Sequence, residues 1–479
     1  MKKIKFAVLI MAILLATVSC VGGGDDIVDD NPVIPDDGSG NGLELGLPED
    51  LRFDGETFRL ITAEGIMEPP AAGEETDVVQ ESIYKQMLDT SERLGVEFEY
   101  YVASPFEIAS TWVYTAVNSW SDEYDAVFTV DTNVRTMADM GFFRSVSDLK
   151  YVNLDNVWWA KDYIKSVSLN PDDPYLLFGS ITYDQAVERL ICTTFNKRLL
   201  KEIHGLEDDD LYQMVLDGEW TIDKFIELSS GVYQDDGDGI IDKDDLHGLT
   251  STDISAFVNL IYSSGLEFTG RDEDGFPTLA LNNERTISLV EKLLALSKDS
   301  GYFNTKGFDG ANDYVYKFKQ GKSLFAITRF FNVWSLNDMA DDYGMVPMPK
   351  FDEDTEGYTS VVTTYVEWGA VPVTCERLEM TSAVLECLAY EGYEHVVPAY
   401  FENAIKLRYT RGDLSLETQM LDLITQGART DFLYVNSLGG MGNIFRDIFE
   451  AGENIFSSTY DSYEAAALTK IRQLIENAK

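Results

Sequence analysis

The feature that most constrains this chain is a regular alternation of strand-like and helix-like stretches. Phe53-Asp54-Gly55-Glu56 reads as a turn, and Thr57 to Thr62 as a first strand. Val78 to Leu94 then carries helical spacing and stops at Gly95, and Val96 to Val102 alternates in the manner of a second strand. Tyr124 to Thr129 is a short apolar run, followed by a helical stretch through Met137 to Gly141 and by Phe142-Phe143. Parallel neighbours need a crossover of a dozen or more residues, whereas antiparallel ones can be joined by a tight turn. Strands separated by helices therefore predict an α/β fold built on a largely parallel sheet. The roughly 430 residues after the N-terminal region exceed one ordinary core, so two lobes are expected.

The middle of the chain repeats the alternation with more specific punctuation. Leu190 to Phe195 is apolar and β-branched, as a buried strand requires. Lys197 to Ile203 is helical in pattern, and Gly205 is placed to close that helix. After an acidic link, Glu219-Trp220-Thr221 opens a new helix, with Thr221 as cap and Phe225 and Leu228 on one face. Asn282 or Asn283 is expected to cap a helix with Ile287, Val290, Leu293 and Leu294 turned inward.

In their order and spacing, these residues resemble the extracellular solute-binding proteins of ABC importers, in particular the sugar-binding relatives of maltodextrin-binding protein. Tyr124 to Thr129 followed by Gly141-Phe142-Phe143 is similar to the family's first lobe. Phe318, Gly321 and Lys322 match its helix–turn–strand, and Tyr343 to Pro349 resembles its strand ending in Pro-x-Pro. The resemblance runs from about Phe53 to the end, is densest from Leu190 to Val373, and offers no counterpart for Tyr151 to Gly179. It implies a two-lobe, type II periplasmic-binding-protein-like fold with the ligand between lobes. On that basis, residues 51–185 plus 366–407 form the first lobe and residues 186–365 plus 408–479 the second. The chain would cross near Glu188 and return at Val366 to Val373. The implied activity is non-enzymatic capture of a carbohydrate, an oligosaccharide above all, for an ABC permease by a monomer.

The N-terminus reads as an export segment. Lys2, Lys3 and Lys5 precede an apolar core from Phe6 to Leu15, which is too short to cross ~30 Å of hydrocarbon. Ala16-Thr17-Val18-Ser19-Cys20 resembles a bacterial lipobox, with Thr17 in place of the usual Leu. Residues 1–19 are thus expected to be a lipoprotein signal peptide and Cys20 the lipidated residue, anchoring the protein on the outer face of a bacterial membrane. Residues 20–50 form an acidic linker; Val21 to Leu47 is rich in Gly, Asp, Pro and Ser and is expected to be disordered, with a reach of about 25–30 Å.

With 83 Asp and Glu against 37 Lys and Arg, the chain is too acidic to favour a phosphate backbone, and no nucleic-acid partner is expected. Cys192, Cys375 and Cys387 lie in mostly apolar surroundings and read as packing residues, with a Cys375–Cys387 bridge the alternative. HExxH and GxSxG motifs are absent, and the only histidines are His204, His247 and His395, which argues against a hydrolase. A surface glycoside-active enzyme and a calcium-dependent adhesion protein are the competing classes. A single acidic loop without an internal repeat argues against the second.

Residues 234–245, QDDGDGIIDKDD, follow an EF-hand-type loop with Gly239 at its sharp turn. Asp236, Asp238, the Ile240 carbonyl, Asp242 and Asp245 are the expected ligands of a structural Ca²⁺. Gln234 at the first position and the short Asp245 at the last depart from the usual pattern, and an acidic surface turn is the plainer reading. For the sugar, aromatic faces and polar groups are both needed. The candidates are Trp334, Trp158, Trp159 and Trp368 with Glu188, Arg189, Arg329, Asn332, Glu367 and Arg408. Core packing is the competing role for each Trp.

Overall fold

A computed structural model describes residues 2–5, 44–63, 78–130, 134–135, 137–138, 140–181, 190–305, 313–336, 338–362, 366–399 and 414–478. Four strands open the chain: β1 (Lys2–Lys5), β2 (Glu56–Ala63), β3 (Val96–Ala103) and β4 (Ala126–Val130). β2 runs parallel to β3, with Phe58 opposite Phe98 and Leu60 opposite Tyr100, and parallel to β4 on its other side. The helix that makes this crossover spans Val78–Leu94, with the limits its spacing predicts. β1 adds antiparallel to the outer edge of β3, so a stretch of the expected export segment is paired with the sheet in the unprocessed chain.

Period-two alternation decides where each side chain goes. Phe58 and Leu60, with Phe98 and Tyr100, pack under the Leu378–Glu391 helix, while Ile61 and Ala63 face the opposite layer. Leu47 is also seated in this core, and Arg93 donates to the Pro48 carbonyl at 2.8 Å. The folded body therefore starts a few residues before the expected end of the linker, because Leu47 has an apolar surface to bury.

The second sheet uses β5 (Ile191–Asn196), β6 (Tyr233–Gln234), β7 (Leu246–Ser251), β10 (Tyr302–Asn304), β11 (Ser323–Arg329) and β12 (Tyr343–Val346). Two shorter elements, the hairpin β8 (Thr269–Arg271) with β9 (Pro277–Leu279) and the strand β13 (Ser360–Val361), lie outside it. β7, β10 and β11 are parallel to one another, and β5 is antiparallel to β11 and β12. Asn196 ends β5 and caps the Lys197–His204 helix by accepting from the Leu199 N–H, and Gly205 closes that helix at φ 69°. Thr221 and Asn283 cap the helices that the sequence assigns to them. Trp220, Phe225, Phe257 and Phe325 fill the core beneath, each burial contributing roughly 1.5–3 kcal/mol before entropy is counted.

The chain then returns to the first sheet as β14 (Glu367–Ala370), antiparallel to β4. The order β1-β3-β2-β4-β14 places a strand from late in the chain in one sheet with four early ones, so the polypeptide passes between the sheets more than once. No helix among the described residues is long and apolar enough to cross a membrane.

Candidate functional site

Ligands of open α/β sheets bind outside the carboxyl ends of the strands, where neighbouring crossovers leave in opposite directions. In the first sheet that edge is formed by Ala63, Ala103 and Val130, with Glu367 of antiparallel β14 opposite Val130. In the second it is formed by Ser251, Asn304 and Arg329, with Ile191 of antiparallel β5 opposite Arg329. The strands that begin at these edges show that the edges are joined. Leu190, just before β5, bridges Val362, and only residues 363–365 separate Val362 from Val366 at the foot of β14. Both carboxyl edges thus meet at the crossings, and the apolar layer between them runs from Ile61 and Val127 to Leu190, Cys192 and Ala326.

The structure separates the expected site residues into three groups. Glu188, Arg189 and Arg408 lie outside the described residues, as does Cys20. Trp334 starts a single 3-10 turn after the Phe330–Val333 helix that follows β11, which carries it past the edge; its side chain is outside the description. Arg329, Asn332 and Glu367 are at the crevice edge. Arg329 is exposed at the carboxyl end of β11. Asn332 is buried behind it and donates to the Tyr314 hydroxyl at 2.6 Å, which in turn lies 3.3 Å from the Thr328 hydroxyl. Asn332 therefore braces the end of β11. Glu367 is almost fully buried at the foot of β14.

Trp158, Trp159 and Trp368 are corrections. Each is buried in the first lobe, and their rings are packed rather than presented. The indole N–H groups of Trp158 and Trp159 both donate to Glu386, at 3.0 and 2.7 Å, and the same carboxylate accepts from Asn156 and the Asn153 N–H. Trp368 stacks on Tyr163 with ring centres 5.1 Å apart. Adjacent aromatic residues flag large apolar area, but whether that area faces a cleft or a core is decided by neighbours distant in sequence.

Two residues missed by sequence reasoning take positions of interest. Phe106 is 74% exposed immediately beyond the carboxyl end of β3. The Ser104-Pro105 pair, a helix cap followed by a first-turn proline, is the signal that could have placed it there. Arg271 of β8 donates to the carbonyls of Leu169 and Ser166, at 3.0 and 3.1 Å, so the segment without family counterpart is tied to the β8–β9 hairpin.

The acidic loop is rearranged from the expected ligand set. Asp235, Asp236 and Asp238 bring carboxylate oxygens within 4.8 Å of one another. Asp245 instead turns inward and accepts from the N–H groups of Asp236 and Asp242, at 2.9 and 3.1 Å, and from the Tyr233 hydroxyl. Asp242 accepts from the Asp244 N–H, and Ile240 and Ile241 are exposed. His247 follows the loop in the core, where burial and the Lys317 ammonium hold its imidazole down at about 4, so it is neutral. The three cysteines outside the export segment are free and buried, as packing residues should be, with no Cys375–Cys387 bridge.

Two α/β lobes with repeated crossings and a shared crevice at the carboxyl edges of both sheets are the two-lobe periplasmic-binding-protein fold of type II. Solved structures with this fold include an extracellular solute-binding protein from Staphylococcus aureus in complex with maltose, at TM-score 0.57 and 12% identity, covering 87% of this chain and 98% of that one. A maltose/maltodextrin-binding domain from Bdellovibrio bacteriovorus bound to maltotriose is similar at TM-score 0.50 and 16% identity, covering 87% and 99%. An ABC transporter solute-binding protein from Thermotoga lettingae bound to α-D-tagatose is similar at TM-score 0.52 and 14% identity, covering 88% and 100%. No family model and no curated protein matches the chain.

Proposed function

We propose that this protein captures a carbohydrate between its lobes and delivers it to an ABC permease, acting as a receptor and not as an enzyme. The observation that carries the reading is the meeting of two strand edges at the interlobe crossings, in a fold whose solved neighbours include proteins bound to maltose, maltotriose and tagatose. Arg329 offers hydrogen bonds to sugar hydroxyls, and Phe106 offers a face for their C–H bonds. A ligand that touches both edges binds the closed form better and shifts the population toward it. With maltose or maltotriose bound, the radius of gyration measured by X-ray scattering decreases. Arg329→Ala weakens binding by about 1–3 kcal/mol and leaves the unliganded melting curve unchanged, because the guanidinium is exposed. A glycan that binds without compaction overturns the receptor mechanism.

The export segment and Cys20 would hold the protein on the outer face of the membrane. Cys20→Ala is expected to appear in the medium or to remain unprocessed, and a variant of mature size that stays in the membrane fraction contradicts the lipid anchor.

Ca²⁺ is the proposed occupant of the acidic loop, with Asp235, Asp236 and Asp238 as its carboxylate ligands and, by the loop pattern, the Ile240 carbonyl as a further one. Chelator should lower the melting temperature of the wild type, and the Asp236→Ala/Asp238→Ala double variant should be insensitive to it. Superimposable wild-type curves with and without chelator leave an acidic turn held by its own N–H groups.

A further inference from the structure

The Val78–Leu94 helix packs beside the Leu378–Glu391 helix, and Gln86 locks the pair by donating to the Leu388 and Ile181 carbonyls at 2.8 and 3.0 Å. The second helix continues into a π-helical turn, Gly392–Val396, of a kind that recurs at functional sites. Gly392 is required at its start, because a Cβ there would meet the Ser180 carbonyl oxygen. Glu391 and His395, four residues apart, therefore point the same way, toward Asp89 near the end of the first helix. His395 Nε2 lies 3.3 Å from a Glu391 oxygen and 3.7 Å from an Asp89 oxygen. Oxygen and nitrogen ligands held about 2.0–2.2 Å from a tetrahedral ion are about 3.4 Å apart, so this is the spacing such an ion needs.

Lys85 places its ammonium 2.9 Å from His395 Nε2 and 3.2 Å from Asp89. An ammonium can only donate, so in this contact Nε2 is the acceptor and its lone pair is turned to the Lys85 cation. A positive charge thus already lies against two of the three groups, His395 and Asp89. Lys85 is about half exposed, so its flexible side chain can withdraw to water. The three groups line a cavity of about 510 Å³ together with Glu92, Arg93, Tyr390 and Glu394, leaving room for a further ligand.

We propose that Asp89, Glu391 and His395 form a binding site for a borderline divalent cation of the zinc type, for which the Lys85 ammonium stands in when the metal is absent. One nitrogen and two carboxylate oxygens leave a fourth position on the cavity side, open to water or to an anionic group. The site lies toward the amino-terminal edge of the first sheet, since its helix leads into the start of β3, and so away from the carbohydrate crevice. Metal at this place would join the two outer helices of the first lobe without entering the crevice.

The test uses the untagged, chelator-treated chain carrying Asp236→Ala and Asp238→Ala, with the acidic loop thus removed from the titration. Calorimetry with Zn²⁺ alone should show one site per chain. His395→Ala and Asp89→Asn should each weaken it by about tenfold or more, and Lys85→Met should tighten it by about threefold or more, because the ammonium competes for the same ligands. Co²⁺ should give a visible absorption band that His395→Ala abolishes. Melting curves and glycan-induced compaction, recorded for each variant, separate a lost site from a lost fold and from a failure of the receptor reading. Zn²⁺ affinity unchanged by His395→Ala or Asp89→Asn, or unaffected by Lys85→Met, overturns the proposal.

Discussion

Trp368→Ala is expected to destabilise the protein by about 3–5 kcal/mol, the range for removing a large buried aromatic side chain. The ring is 1% exposed, stacked on Tyr163 and tilted against Phe178 with centres 5.0 Å apart. All three lie in the apolar layer that continues into the second lobe through Leu190 and Val362. The cavity would therefore open beneath the crossings, where the backbone has least freedom to collapse into it. The indole N–H has no acceptor among the described residues, so the loss there is one of packing. Denaturant unfolding of the unliganded protein measures it. A variant with wild-type stability and weakened sugar binding would return Trp368 to the crevice.

Glu386→Ala should cost a similar amount, about 3–5 kcal/mol, for the different reason that it strands buried donors. Four N–H groups converge on this one carboxylate, from Asn153, Asn156, Trp158 and Trp159. The Trp pair and the Leu378–Glu391 helix are both fixed by it, so Trp fluorescence should shift to the red as the indoles lose their shared acceptor. Glu386→Gln keeps the volume and one acceptor oxygen but turns an NH₂ group toward other donors, and should recover only part of the loss. An alanine variant within about 0.5 kcal/mol of the wild type would show that water replaces the carboxylate without cost.

The pairing of these two residues shows where sequence reading reaches its limit. Trp158, Trp159 and Trp368 stand out in the sequence, and an indole suits a sugar platform as well as a core. Glu386 settles two of them, yet it lies more than two hundred residues away and looks like any other acid in a chain with 83 of them. The same applies to the acidic loop. Its alternation identifies a turn rich in hard oxygens, but Asp245 is drawn away from the ligand position by the N–H groups of Asp236 and Asp242. Asp235, at a position the pattern ignores, takes its place beside Asp236 and Asp238.

By itself the sequence determined what local physics controls. Helix limits followed from spacing and caps, as at Val78–Leu94, Asn196, Thr221 and Asn283, because a cap is satisfied by residues three positions away. The α/β class followed from strand–helix alternation, because parallel strands need crossovers. The tertiary structure alone decided which edges meet, which aromatic rings are buried, and that Asp89 stands against Glu391 and His395. Those facts depend on the packing of segments hundreds of residues apart. No local pattern encodes them, since the contact energy belongs to the pair and not to either stretch of chain.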